Sequence, residues 1–157
     1  MIEIERKFLI TSEAYKKEAI SKTLFIQAYL NTHPERTIRI RIQADKAFMT
    51  IKGKSSESGV SRFEWEKEIP VDEAQQLLKL CEPGKIEKYR YLVTVGQHIF
   101  EVDEFLGDNK GLSIAEVELN SEHEHFLKPE WLGEEVTCQN QYYNSQLTLN
   151  PYKNWKK

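Results

Sequence analysis

Apolar and polar residues alternate with a period of two along most of the chain. Side chains two apart share one face of a strand, so the pattern predicts strands. It runs through residues 1–10, 25–30, 37–42, 47–51, 61–69, 86–95, 98–105 and 113–119, which makes eight expected strands. Two intervening stretches read as helix. TSEAYKKEAISK offers Thr11 or Ser12 as a cap and Glu13 in the first turn. VDEAQQLLKLCEPG offers Asp72 as a cap and an apolar side from Leu77, Leu78 and Cys81, with Pro83-Gly84 as its stop. NQYYNSQL reads as a further short helix that ends before Pro151. The one loose stretch, GKSSESGVS at residues 53–61, suits a hairpin loop. Closely spaced strands with few helices predict an antiparallel sheet or barrel.

The polar faces of these strands are unusual. Glu3, Glu5 and Lys7 share one face, against Ile2, Ile4 and Phe8. Arg39 stands with Arg41, Lys88 with Arg90, Glu101 with Asp103 and Glu116 with Glu118. Arg62, Glu64, Glu66 and Glu68 line up against Phe63, Trp65 and Ile69. Arg and Glu are not favoured strand residues on propensity alone. A solvated outer face explains one such strand, but it favours mixed charges, and these pairs are mostly of like sign. The opposite faces are strongly apolar and need cover. A closed barrel with a charged interior and an apolar, helix-covered exterior meets both demands. Charges inside it must be paired, hydrated or bound to ions. Carboxylate pairs invite a divalent cation, and Arg and Lys pairs invite phosphates. Trp65, Tyr89 and Tyr91 alternate with the charges and are expected to pack against the covering helices. His123 and His125 flank Glu124 in a polar stretch and read as surface residues.

Length and composition narrow the picture. The 157 residues suit a single domain, 1–157, with an ordinary core. Hydrophobic residues make up 39% and charged residues 30%, with a net charge of −3. That balance excludes a nucleic-acid binder driven by bulk charge and a disordered acidic tail. No apolar run reaches the ~20 residues of a membrane span. The first ten residues carry no signal-peptide pattern, and the cysteines, Cys81 and Cys138, form no CxxC. A cytoplasmic location is expected, with no membrane or nucleic-acid partner. No phosphate-binding glycine loop, HExxH or GxSxG motif competes with the charged faces.

Glu3-Ile4-Glu5-Arg6-Lys7 forms an ExExK motif. Tyr29 in IQAYL, then RIRI, MTIKG with Lys52, RFEWEKEI, IEKYRY, FEVDEF, Gly111-Leu112 before AEVEL, and VTxxxxYYN follow in order. This succession resembles the CYTH superfamily, the triphosphate tunnel metalloenzymes, from Met1 to about Leu147. The resemblance implies a mainly β (α+β) fold, an eight-stranded antiparallel barrel forming a tunnel with a charged lumen. It implies a triphosphorylated small-molecule substrate and Mg²⁺ or Mn²⁺ as cofactor. Carried over by position, Glu3, Glu5, Asp103, Glu116 and Glu118 are metal ligands, and Glu64 and Glu66 auxiliary acids. Lys7, Arg39, Arg41, Lys52, Arg62, Lys88 and Arg90 are the phosphate clamp. Lys7 and Tyr29 form a catalytic dyad near the attacking water. The expected reaction is metal-dependent hydrolysis of inorganic triphosphate to pyrophosphate and phosphate. The alternatives are an adenylyl cyclase of the class IV type, a thiamine triphosphatase, or a non-catalytic binder of polyphosphate or a nucleotide. VTCQNQYYN lacks the acidic residue expected soon after VT. A homodimer through a strand edge or helix face remains open.

Overall fold

In the computed structural model, which describes residues 1–156, the alternating segments form eight strands and Leu132–Glu135 a ninth, all paired antiparallel. They are β1 (Ile2–Ile10), β2 (Ser21–Asn31), β3 (Arg36–Gln43), β4 (Lys46–Gly53), β5 (Ser61–Ile69), β6 (Ile86–Val95), β7 (His98–Phe105), β8 (Ser113–Glu118) and β9 (Leu132–Glu135). The sheet order is β5-β4-β3-β2-β6-β7-β8-β1-β9, and β1 also pairs with β5. That last pairing closes eight strands into a barrel, as expected. Closure works because β1 divides its ladders. Ile2–Ile4 pair with β5 and Glu5–Leu9 pair with β8. β9 then runs beside β1 beyond the end of β5, with Phe8 opposite Glu135.

β1 and β3–β8 each place charged side chains in the lumen, whereas β2 contributes Tyr29 there. Two apolar clusters cover parts of the outer face and a third closes one end of the barrel. Tyr15 and the segment carrying Phe126 and Trp131 cover Phe8, Tyr91, Phe100 and Val117. The C-terminal segment, with Leu147, Tyr142, Tyr152 and Trp155, packs on Ile86, Phe105 and Ile114, which share the inward face of Lys88, Asp103 and Glu116, so this cluster fills one end of the barrel. Helix α2 (Val71–Leu78) covers Ile40 and Ala47 through Ala74, Leu77 and Leu78. Burial of such side chains stabilises the fold by roughly 1.5–3 kcal/mol each. No described helix is long and apolar enough to cross a membrane.

Several boundaries differ from expectation. The first helix, α1, spans only Tyr15–Glu18, and its cap position is Ala14 rather than Thr11 or Ser12. The chain leaves the helix early because Ser21–Leu24 are needed opposite Leu92–Tyr89 in the β2–β6 ladder. Helix α2 is preceded by Pro70 at the cap, not Asp72. Asp72 lies in its first turn, where its charge still suits the helix dipole. The C-terminal helix is split into a 3₁₀ turn at Asn140–Tyr142 and α3 at Asn144–Leu149. β9 was not expected. His123 and His125 are exposed, while Tyr91 is buried among Tyr15, Phe100 and Trp131.

Candidate active site

The barrel interior is a cavity of about 210 Å³ lined by seven carboxylates and seven cationic side chains. Their distribution follows the strand order. β1, β8 and β7 are neighbours and contribute Glu3, Glu5, Glu116, Glu118 and Glu101. β6 and β3 lie on either side of β2 and contribute Lys88, Arg90, Arg39 and Arg41. β4 and β5 complete the ring with Lys52, Arg62, Glu64 and Glu66, and Lys7 completes β1. One wall is thus acidic and the facing wall basic. The strand register sharpens the contrast, because Glu5 stands opposite Glu118 and Glu101 opposite Glu116. Like charges directly opposite each other destabilise a sheet.

Ion pairs relieve part of this imbalance. Lys7 Nζ lies 3.2 Å from Glu116 and 3.5 Å from Glu5. Lys52 Nζ lies 2.8 Å from Glu3 and 3.3 Å from Glu64. On the basic side, Arg90 donates from Nε to Asp103 Oδ1 at 2.8 Å and from Nη2 to Asp103 Oδ2 at 2.9 Å. Its Nη1 donates to Glu101 at 3.0 Å. Lys88 Nζ donates to Asp103 and to Asn144 Oδ1, each at 2.8 Å. Arg41 Nε donates to Gln27 Oε1 at 2.8 Å, and Gln27 Nε2 donates to Asn144 Oδ1 at 3.1 Å. Arg39 bonds Thr50 at 3.0 Å, while its buried Nε has no partner among the described residues.

The remaining imbalance shows in the proton affinities. Burial, with Glu116 beside it, pushes the Glu5 carboxyl up to about 8. Burial also raises Glu3 and Glu118, the latter further through Glu3 and Glu101. Burial opposes charge on Glu116 too, but Lys7, Glu5 as a hydrogen-bond donor, and Arg90 hold it well below the usual range. Across the lumen, burial with Arg90 and Arg41 nearby pulls Lys88 down to about 7, against the attraction of Asp103. Burial, Arg39 and Arg90 pull Arg41 down to about 9. The acidic wall thus carries more negative charge than its lysines neutralise, and the basic wall more positive charge than Asp103 neutralises.

All but one of the expected site residues line this cavity. The exception is Asp103, expected to be a metal ligand. It is 1% exposed and held by both Lys88 and Arg90, behind the cations rather than in the lumen. Glu101, two residues earlier on the same face, takes the lining position instead. Lys7 and Tyr29 both line the cavity, but no hydrogen bond joins them, and Lys7 is engaged by Glu116 and Glu5. Tyr143, Asn144 and Ser145 also line it, although none of them was among the expected site residues. Among the described residues, no three acidic, histidine or cysteine side chains form a preassembled cation site. Lys7 and Lys52 stand between the carboxylates that would make one.

Fold and lumen together define a small antiparallel β-tunnel protein with a charged barrel interior. The chain belongs to the CYTH family, whose domain model matches residues 1–149. It is 48% identical over 155 residues to an inorganic triphosphatase of Acetivibrio thermocellus, covering 98% of this chain and 97% of the relative. It is 38% identical to an inorganic triphosphatase of Nitrosomonas europaea, covering 96% of this chain and 99% of the relative. The crystal structure of the inorganic triphosphatase NE1496 superimposes with a TM-score of 0.68 at 34% identity, over 94% of this chain and 98% of that one.

Proposed function

We propose that this protein hydrolyses inorganic triphosphate to pyrophosphate and phosphate, using a divalent cation. The observation that carries the reading is the division of one lumen into an acidic and a basic wall. An anion on one side and a cation on the other remove both imbalances, and a metal–triphosphate complex supplies the two together. The two relatives named as inorganic triphosphatases, at 48% and 38% identity, support this substrate over ATP.

The donor set fits Mg²⁺ or Mn²⁺, which prefer carboxylate, phosphate and water oxygens. Glu3, Glu5, Glu116 and Glu118 would hold it, with Glu101 beside them. When bound, the ion neutralises phosphate charge and polarises oxygens at the reacting phosphorus. Asp103 is assigned elsewhere. It fixes the spacing of Lys88 and Arg90, which present N–H groups to the phosphates.

Arg39, Arg41, Lys88 and Arg90 bind the phosphate oxygens and stabilise the charge that develops on the leaving pyrophosphate. Lys7, Lys52 and Arg62 take the oxygens nearer the acidic wall. Phosphate oxygens give Lys7 and Lys52 new partners, which frees carboxylates for the cation. Tyr29, 6% exposed, lines the cavity between β3 and β6 and orients water towards the terminal phosphorus. The water oxygen bonds to that phosphorus as its bond to the bridging oxygen breaks, and one water is consumed.

The test is phosphate release from inorganic triphosphate and from ATP, with Mg²⁺ and with Mn²⁺, beside Glu3→Ala and a cyclic-AMP assay. Fast release from triphosphate, slow release from ATP and loss of orders of magnitude in Glu3→Ala are expected. Cyclic AMP with pyrophosphate would reassign the site to cyclisation. Wild-type turnover in Glu3→Ala would remove Glu3 from the machinery.

A further inference from the structure

Strand β2 sends no charge into the lumen. Phe25, Gln27 and Tyr29 stand two apart on it and share its inward face. Tyr29 lines the cavity, and Gln27 holds Arg41. Phe25 is 4% exposed, yet it belongs to none of the three apolar clusters. Cations gather on it instead. The guanidinium carbons of Arg41 and Arg90 each lie 4.7 Å from the centre of the Phe25 ring, and Lys88 Nζ lies 6.0 Å from it. In the β2–β6 ladder Phe25 stands directly opposite Lys88. One buried ring thus meets three cations of the basic wall. Arg41 depends on it most. That side chain is buried and forms no ion pair among the described residues, and its Nε donates to the neutral Gln27 oxygen.

We propose that the Phe25 ring is the platform that positions Arg41, Arg90 and Lys88 for phosphate. The proposal rests on the triphosphatase reading of the lumen, in which these cations belong to the phosphate clamp. The face of a phenyl ring carries partial negative charge and attracts a cation, most strongly where water is excluded. It differs from a carboxylate in two ways that suit a clamp. It brings no net charge, so the wall stays positive for an incoming anion. It leaves the guanidinium edges free, so their N–H groups stay available for oxygens. Asp103 does not replace it, since that carboxylate engages Lys88 and Arg90 and leaves Arg41 out. Arg41 and Arg90 repel each other, and a ring shared between them offsets the repulsion. An aliphatic side chain would fill the same space without that attraction. Phe25 does not itself line the cavity, so it acts through the cations and is a positioning residue.

The experiment replaces Phe25 by phenylalanines carrying one, two, three and five ring fluorines, introduced at that codon. Fluorine draws electron density out of the ring and removes the negative face step by step, while the ring keeps its shape. Phe25→Leu removes the ring outright. For each variant, KM and kcat for inorganic triphosphate are measured, with calorimetry of triphosphate binding in chelator and a melt by circular dichroism. The expected result is a stepwise rise of KM and of the dissociation constant with fluorine number, reaching about tenfold at five fluorines, with kcat changed by less than about threefold. Phe25→Leu should match or exceed the last step. A folded series with flat KM and flat binding overturns the platform even where Phe25→Leu lowers the melting temperature, because bulk alone would then explain the ring. A fall in kcat at constant KM and constant binding overturns it too, since the ring would then act on the reaction and not on the clamp. In both cases cleavage by the wild type leaves the lumen reading intact. If the wild type does not cleave triphosphate, that reading fails, and calorimetry decides the platform alone. Weaker binding along the series then supports it, and equal or absent binding overturns it.

Discussion

Glu5 and Glu118 stand directly opposite each other in the β1–β8 ladder, and both face the lumen. Sheets normally avoid two carboxylates in that position. Here the pair is held by the register of strands whose outer faces are locked into the core through Phe8, Ala115 and Val117. The cost is therefore carried by the whole barrel, and a cation bound between them, as proposed above, would remove it.

The first prediction concerns pH. In the folded, metal-free protein the Glu5 carboxyl titrates near 8, against an ordinary 4.5. Between those values the folded state holds a proton that the unfolded chain releases. Stability from this group is therefore greatest at the acid end and declines as pH rises to about 8. Glu5→Gln removes the decline. In chelator, its melting temperature should match wild type near pH 5 and exceed it by several degrees near pH 9. A difference that stays constant across that range would place the titration elsewhere. Cation binding needs the ionised carboxylate, so Mn²⁺ affinity of the wild type should climb with pH and level off above about 8.

On the proposed reading Lys52 would compete with the cation for Glu3, because its Nζ sits 2.8 Å from that carboxylate. Lys52→Met should tighten Mn²⁺ binding in the absence of substrate while weakening triphosphate binding about tenfold. Titration calorimetry of each ligand separates the two effects. A variant that loses affinity for both would show that Lys52 organises the acidic wall rather than blocking it.

Asp103 gives a contrasting expectation. Removing its charge leaves Lys88 and Arg90 without their shared partner, and breaking a buried pair typically costs about 3–5 kcal/mol. Asp103→Asn, which keeps the shape, should raise KM for triphosphate and lower the melting temperature. The metal concentration for half-maximal activity should stay unchanged. A shift in that concentration would return Asp103 to the set of ion ligands.

These two acids also show what could be read from the chain. Period-two alternation correctly sends Glu3, Glu5, Lys7, Arg39, Arg41, Lys88 and Arg90 into one lumen, and it gives the barrel. It cannot separate Glu101 from Asp103, which share a face. Their depth depends on the stagger of neighbouring strands, which sets Asp103 opposite Arg90 and Glu101 opposite Glu116. β9 was illegible because Leu132–Glu135 has no alternation. Its place is set by partners far away in sequence, notably Arg6, whose Nε donates to Glu135 at 2.8 Å. Tyr143, Asn144 and Ser145 lie outside any strand, so no face pattern could bring them to the lumen. The stop at Pro83-Gly84 was legible as a turn, but not its tertiary reason. Gly84 has φ +102°, and an added Cβ would lie 2.3 Å from the Thr148 carbonyl in α3. Gly84→Ala should therefore lower the melting temperature and displace α3.

That helix matters because one carbonyl oxygen at its start organises the basic wall. Asn144 Oδ1 accepts from Lys88 at 2.8 Å and from Gln27 at 3.1 Å, and Gln27 in turn holds Arg41. Two lumen cations, Lys88 and Arg41, thus take their positions from a residue that is not itself charged. Asn144→Ala should raise KM for triphosphate by about tenfold and change kcat by less than about threefold. Binding is lost because Lys88 and Arg41 are no longer preorganised, while the acidic wall and Tyr29 are untouched. Asn144→Asp keeps the acceptor and adds a negative charge against the incoming phosphates, so it should raise KM further although the hydrogen bonds survive. A fall in kcat with KM unchanged would mean that Asn144 reaches the reacting atoms directly, and its amide nitrogen would then be the group to test. Gln27→Ala separates the two branches. It releases Arg41 alone, so its KM should lie between those of wild type and Asn144→Ala.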